Sequence, residues 1–412
     1  MPHITVRGDL YSVSKSKLFF ASTAFVCFCV QPFFSLLSLI IILLSLKGVK
    51  EFHLKTFIII GSAYIALVNL TKVPESDLNN YLQSFNSARE LSYIQFMAIY
   101  TREPLYYSLV FVLGSIGFFT DKHFIFINSF LPYVIFLSAV FKLCLHIELN
   151  KRVILLILII LLFFPQLFSL SAHLLRQFIA SGLCIYVIVG YLITGRISFV
   201  IAMASFFTHF FVALLFYIMV VVKLTYKVRM PVFLIFIGSL TFIGVSFYFL
   251  RTVLQMIDLP VVFHPLVSRI LDPTGSIDFG YLNVQSYTLI LTIFCVCIYN
   301  ITFSASNKKT ENFYVVHLSI IYFSGLVFVS SFVPAFSEVT HRYLLLLYFL
   351  CGIVLPYTYV LLGKSFKQIT FLIPVIVIML FFTYTKFGTW KYASIIELLI
   401  WSPAHFWYLD TA

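Results

Sequence analysis

The stretch VILLILIILLFFPQLFSLSAHLL at 153–175, then Arg176, then QFIASGLCIYVIVGYLITG at 177–195, decides the fold. Two charge-free runs, each near the roughly 20 residues an α-helix needs to cross a hydrocarbon core, are separated by one arginine. An arginine at the bilayer mid-plane costs roughly 2.5–3.5 kcal/mol on insertion scales, so one is kept at a membrane face or in a wet cavity for a reason. An isolated guanidinium between two spans points to an anionic ligand handled at the membrane surface.

The rest of the 412-residue chain has the same character: 61% of residues are hydrophobic and only 10% charged. A soluble domain carries about 25% charged residues. Further charge-free runs cover 18–46, 230–250, 312–337 and 343–363. None alternates as a transmembrane barrel strand would. The predicted class is therefore all-α: one polytopic integral membrane domain over 1–412, with about 11–13 transmembrane or re-entrant helices.

The net charge is +12, but lysines and arginines are spread along the loops. That pattern controls topology and meets anionic membrane lipid; it does not suit nucleic acid. The seven cysteines all lie in apolar runs. The pairs Cys27/Cys29 and Cys295/Cys297 have no histidine or carboxylate at metal-ligand spacing, so they read as small core residues and no metal is expected. Lys15 and Lys17 precede an apolar stretch without a small-x-small cleavage site, which argues against a cleaved signal peptide. No phosphate-cradling glycine loop, His-Glu-x-x-His or Gly-x-Ser-x-Gly is present, so no cofactor is expected.

Assigning the basic loops at 47–55, 142–152, 223–229, 308–309 and 364–367 to the cytoplasm imposes two conditions. The run 197–222, which contains His209, must enter and leave on one side. One segment between 91 and 141 must be re-entrant or interfacial, as is tolerated where backbone lines a polar cavity. Four segments then fall on the outer face: 72–103, the 173–176 turn, 251–285 and 334–342. Residues 91–100 carry Leu91, Ile94, Met97 and Ala98 at amphipathic spacing, which predicts an interfacial helix.

The polar residues worth explaining collect in those outer segments. They are Asp77 with Tyr81, Arg102 with Glu103, Arg176 with Gln177, Arg269 with Asp272 and Asp278, and Glu338 with His341 and Arg342. Plainer alternatives stand beside each. Glu103 before Pro104 suits helix-start electrostatics worth about 0.3–1 kcal/mol. Asp77 suits a solvated loop acid, and Arg269 with Asp272 a surface pair contributing under about 1 kcal/mol. The three arginines are harder to dismiss together, because a guanidinium fork matches phosphate oxygens in a way lysine does not. Convergence of Arg176, Arg269 and Arg342 would grip a diphosphate; independent snorkelling to headgroups is the alternative. His209 is either a satisfied core histidine or a base. Next to Arg342, His341 would be held neutral and able to accept a proton.

At this point the chain resembles a family. Asp77-x-x-x-Tyr81, Glu103-Pro104-Leu105-Tyr106, Leu175-Arg176-Gln177-x-x-Ala180 and Phe207-Thr208-His209 are, in order and spacing, similar to the EpsG-like group of Wzy-type polysaccharide polymerases. Past Phe216 the matches are Arg269 and Arg342. In many members a proline or small residue follows the histidine, whereas here Phe210 does.

The resemblance implies a multi-pass protein of the bacterial inner membrane with its site facing the periplasm. Such a protein extends O-antigen, capsule or exopolysaccharide carried on undecaprenyl diphosphate. It implies inversion at the anomeric carbon without an obligatory metal, and functional roles for Asp77, Arg176, His209 and Glu103. Asp77, Glu103, His209 and His341 compete as the catalytic base. Tyr81, Arg102, Arg176, Gln177, Arg269, Asp278, Glu338 and Arg342 are the candidate substrate-binding residues. Partners would be undecaprenyl-diphosphate-linked oligosaccharides and membrane lipid, with room for a chain-length regulator and a flippase.

Two other readings stay open. One is a GT-C-like glycosyltransferase using a sugar on polyprenyl monophosphate, with Glu75 or Asp77 as the acid of its first outer loop. The other is a lipid-linked oligosaccharide flippase or other transporter, which should show paired repeats with charges near mid-membrane.

Overall fold

The computed structural model describes residues 7–74, 77–100, 103–228, 284–303, 310–331, 337–361 and 395–408. Every regular element among them is helical, as the lack of strand periodicity requires. Among the described residues, five helices are long and apolar enough to cross a membrane: Glu51–Leu70, Asp121–His146, Leu175–Thr194, Glu311–Ser330 and Arg342–Val360. The protein is an all-α, polytopic membrane protein.

Prolines divide two of the runs that hydropathy alone reads as continuous. The run 18–46 becomes α1 (Arg7–Val30) and α2 (Pro32–Ser45). Gln31 ends one helix and caps the next, its side chain accepting from the Phe34 N–H at 3.2 Å while Pro32 sits at the favoured first position. The run 153–175 becomes α8 (Lys151–Leu162) and α9 (Pro165–Ser171), divided ahead of Pro165. All ten residues from Val153 to Leu162 are buried, the signature of a helix apolar on every side.

The helices sort into two compact units, 1–210 with 362–412, and 211–361. In the first, α7 (Asp121–His146) is central and packs against both α3 (Glu51–Leu70) and α10 (Leu175–Thr194). Gly182 permits that approach: a Cβ there would lie 3.2 Å from the carbonyl oxygen of Pro132 within α7. Gly195 ends α10 in the left-handed conformation, φ 71°, that glycine adopts without a Cβ penalty.

Three short helices precede α7: α4 (Asp77–Ser87), α5 (Tyr93–Ile99) and α6 (Pro104–Ser115). With 12 residues α6 is about 18 Å long and falls short of a roughly 30 Å hydrocarbon core. It packs against α4, α5 and α11 (Phe199–Thr208). The approach to α4 requires Gly114, where a Cβ would stand 2.7 Å from the backbone oxygen of Phe85. The predicted interfacial helix is α5, shorter than expected. Phe96 is its buried residue and Ile94 is turned outward, 81% exposed.

The run 197–222 breaks at His209. α11 ends at Thr208, His209 is extended (φ −163°, ψ 123°), a 3-10 turn covers Phe210–Val212, and α12 (Ala213–Val228) follows. Phe210 therefore does not prevent the break. The second unit contains α12, α13 (Val284–Phe303), α14 (Glu311–Ser330) and α15 (Ser337–Leu361). At its centre His317 is fully buried; Nδ1–H donates to the Phe313 carbonyl at 3.0 Å and Nε2 lies 3.4 Å from Asn300 Nδ2.

Candidate functional site

Four side chains from four elements of the first unit meet in one cluster. Glu103 stands ahead of Pro104 at the start of α6. Its carboxylate makes no cap bond to the helix. Instead Oε2 accepts from Nη1 of Arg176, on the first turn of α10, and Oε1 accepts from Nδ1–H of His209. The Nε–H of Arg176 donates to the hydroxyl of Tyr81 on α4 at 3.0 Å, and its guanidinium carbon lies 5.5 Å from the centre of that ring.

Three members of the cluster are buried and the fourth is partly exposed. Glu103 is 3% exposed, His209 8% and Tyr81 3%, whereas the Arg176 side chain is 19% exposed. Burial alone would raise the Glu103 carboxyl. The bond and charge from His209, then those from Arg176, outweigh burial and hold it below the ordinary carboxylate range. Glu103 is thus an anion at neutral pH and a poor base. Burial pushes the Tyr81 phenol well above its ordinary range, against the pull of Arg176. It stays a neutral hydroxyl that accepts from the guanidinium and keeps a proton to give.

The extended backbone at His209 is what aims the imidazole. Its N–H still reaches the Ser205 carbonyl at 3.1 Å, and Ser205 Oγ donates to the Ala180 carbonyl at 2.8 Å, which fixes the end of α11 against α10. With Nδ1–H given to Glu103, Nε2 is the ring nitrogen left to accept a proton when the imidazole is neutral. A carboxylate fixing the tautomer of an imidazole is the arrangement that equips histidine to take a proton.

The turn that launches Arg176 is held by residues the sequence did not single out. Asn69, at the end of α3, donates to Ser129 Oγ of α7 at 3.1 Å and to Ser171 Oγ of α9 at 2.8 Å. Lys72, 1% exposed, is hydrogen-bonded to Nε2 of His173. These contacts span 60 to 102 positions and carry no local pattern. Beside the cluster Tyr106 packs edge-on to Tyr81 with ring centres 5.6 Å apart, and its buried hydroxyl has no hydrogen-bond partner among the described residues.

The other predicted residues divide by location. Gln177 is buried on the first turn of α10. Asp77 is half-buried on the first turn of α4, one turn before Tyr81. Arg342 is half-buried on α15 in the second unit, and Glu338 and His341 fall in the first turns of that helix. Arg102, Arg269, Asp272, Asp278 and Glu75 lie outside the described residues.

Fold and cluster together define a class: a many-helix membrane protein in which one buried carboxylate is clamped between a guanidinium and an imidazole. Over residues 54–395 the chain matches the model of the EpsG family, and it belongs to that family. Membership places it in polysaccharide biosynthesis. No curated protein and no solved structure matches it.

Proposed function

We propose that this protein is a membrane glycosyltransferase that polymerises lipid-linked repeat units into polysaccharide. A growing glycan on undecaprenyl diphosphate is the donor, and a hydroxyl at the non-reducing end of a new lipid-linked unit is the acceptor. The observation that carries the reading is Glu103 held between Arg176 and His209. Of the competing bases, the geometry favours His209, because Glu103 is already committed to two cationic or donor partners.

In the proposed step the acceptor oxygen forms a bond to the donor's anomeric carbon as the bond from that carbon to the diphosphate breaks. The electron pair leaves with the diphosphate, and the hydroxyl proton passes to Nε2 of His209. Glu103 orients the imidazole and stabilises its charged form. Arg176, the least buried member of the cluster, faces the charge growing on the leaving group, which is where fixed donors contribute most. Attack opposite the leaving group inverts the anomeric centre.

Purified protein supplied with synthetic repeat units on a polyprenyl diphosphate tests this. A ladder spaced by whole repeat units is expected. Addition of a single sugar from a polyprenyl monophosphate, or translocation without bond formation, would overturn it.

A further inference from the structure

Two of the dispersed basic loops meet in space. A cavity of about 510 Å³ opens between the turn after α2 and the turn from α7 into α8; it is lined by Lys47, Gly48, Val49, Asn150, Lys151 and Arg152, with Leu149 at its edge. Lys47 lies more than a hundred positions from Lys151 and Arg152 in the chain, so the charge cluster is a product of the fold. Arg152 ties the two turns together, its Nη2 donating to the Leu46 carbonyl at 2.8 Å.

The cations sit where α8 itself does not favour them. Lys151 and Arg152 occupy the first turn of α8, where the helix dipole already places partial positive charge and a basic residue is disfavoured. Asn150 caps the Arg152 N–H at 3.0 Å, which satisfies that backbone donor but offsets no charge. No acidic side chain lines the cavity, although Glu51 and Glu148 are close in sequence. Three cations and a helix start, with Gly48 and Val49 completing the wall, form a concave anion receptor beside apolar helices.

We infer that this groove binds the phosphodiester headgroup of an anionic phospholipid. The occupant follows from the surroundings: the groove adjoins α2, whose Ile41, Ile42 and Leu44 are exposed large apolar side chains, so acyl chains and headgroup find matching surfaces together. Basic pockets between membrane helices take such headgroups, each cation near the surface contributing about 1 kcal/mol. The site is independent of the Glu103–Arg176–His209 cluster and of the reaction proposed for it.

The test is native mass spectrometry of the full chain released from membranes of mixed phosphatidylglycerol and phosphatidylcholine. Lys47→Gln/Lys151→Gln is the working variant, since it leaves the Arg152–Leu46 tie intact. Lys55→Gln, an exposed lysine outside the cavity, is the control. Retention of phosphatidylglycerol should fall about 30-fold in the double variant, as loss of two such cations implies, and hold in the control. Equal retention in all three proteins, no preference over phosphatidylcholine, or displacement of the lipid by millimolar inorganic phosphate would overturn the assignment to a lipid headgroup.

Discussion

His209 donates from Nδ1 to Oε1 of Glu103 across 106 positions of sequence, and the other oxygen of the same carboxylate is held by Arg176. One acid therefore sets both the tautomer of the imidazole and the orientation of the guanidinium. Glu103→Gln should weaken both functions at once. Removing one partner of a buried pair typically destabilises by about 3–5 kcal/mol. The double variant Glu103→Gln/Arg176→Gln should lose less than the sum of the single losses, as coupled residues do. Thermal unfolding in detergent measures this; strict additivity would separate the two residues energetically.

The same carboxylate gives a pH signature. Its folded pKa is depressed, so the unfolded chain binds the proton more readily and stability rises with pH across the window. The contribution is complete above the ordinary value of 4.5 and drains away as pH falls below it toward the depressed folded value. Wild type should be more stable than Glu103→Gln at pH 7, and the gap should narrow as pH drops from about 5 to 3.5. A gap that is constant with pH would mean the carboxylate is not ionised in the fold.

Tyr81 and Tyr106 are neighbours that should answer differently to loss of their hydroxyls. Tyr81→Phe removes the acceptor for Arg176 Nε–H and should destabilise by about 1 kcal/mol, more if the guanidinium donor is left unpaired. Tyr106→Phe removes a buried hydroxyl that has no partner among the described residues, so stability should hold or rise. Should Tyr106→Phe nevertheless slow chain extension, that hydroxyl meets the substrate. Paired melting curves and extension rates separate these outcomes.

Gly114 is the hinge of the α4–α6 packing. Alanine in a helix is ordinarily up to about 1 kcal/mol better than glycine. At Gly114, however, its methyl would meet the Phe85 carbonyl and the Ala88 side chain, whereas at Gly190 in α10 nothing lies within 4 Å. Gly114→Ala should lower stability and extension together by parting Tyr81 from Glu103, and Gly190→Ala should do neither. Indistinguishable melting curves for the two variants would remove Gly114 from this role.

Much of the fold was legible because the bilayer demands it. Charge-free runs were enough for a helical membrane protein, and a lone Arg176 for a candidate site at a helix end. The divisions at Pro32 and Pro165 were also present in the sequence, as prolines at first helical positions, but run length alone obscures them. Glu103 was harder. A carboxylate ahead of a helix reads locally as a cap, and only the approach of α10 and α11 shows that its oxygens are used elsewhere. Lys72, Asn69 and His173 gave no signal, since a lysine at the end of an apolar run is expected at the surface and this one is buried by partners about a hundred residues away. The predicted gathering of arginines rests on Arg176 among the described residues of the cluster, with Arg342 on α15 of the second unit and Arg269 outside those residues.

The decisive measurement is the rate of glycan extension by purified protein on synthetic polyprenyl-diphosphate repeat units, with His209→Gln and Arg176→Lys compared against wild type at equal folded concentration. Glutamine keeps a side-chain hydrogen bond within reach of Glu103 but supplies no base, so turnover should fall about 10²–10⁴-fold with little change in substrate affinity. Lysine keeps the charge but not the fork that reaches Tyr81 and Glu103 together, so it should also be slow. Wild-type ladders from both variants would show that the cluster holds the fold together and performs no chemistry.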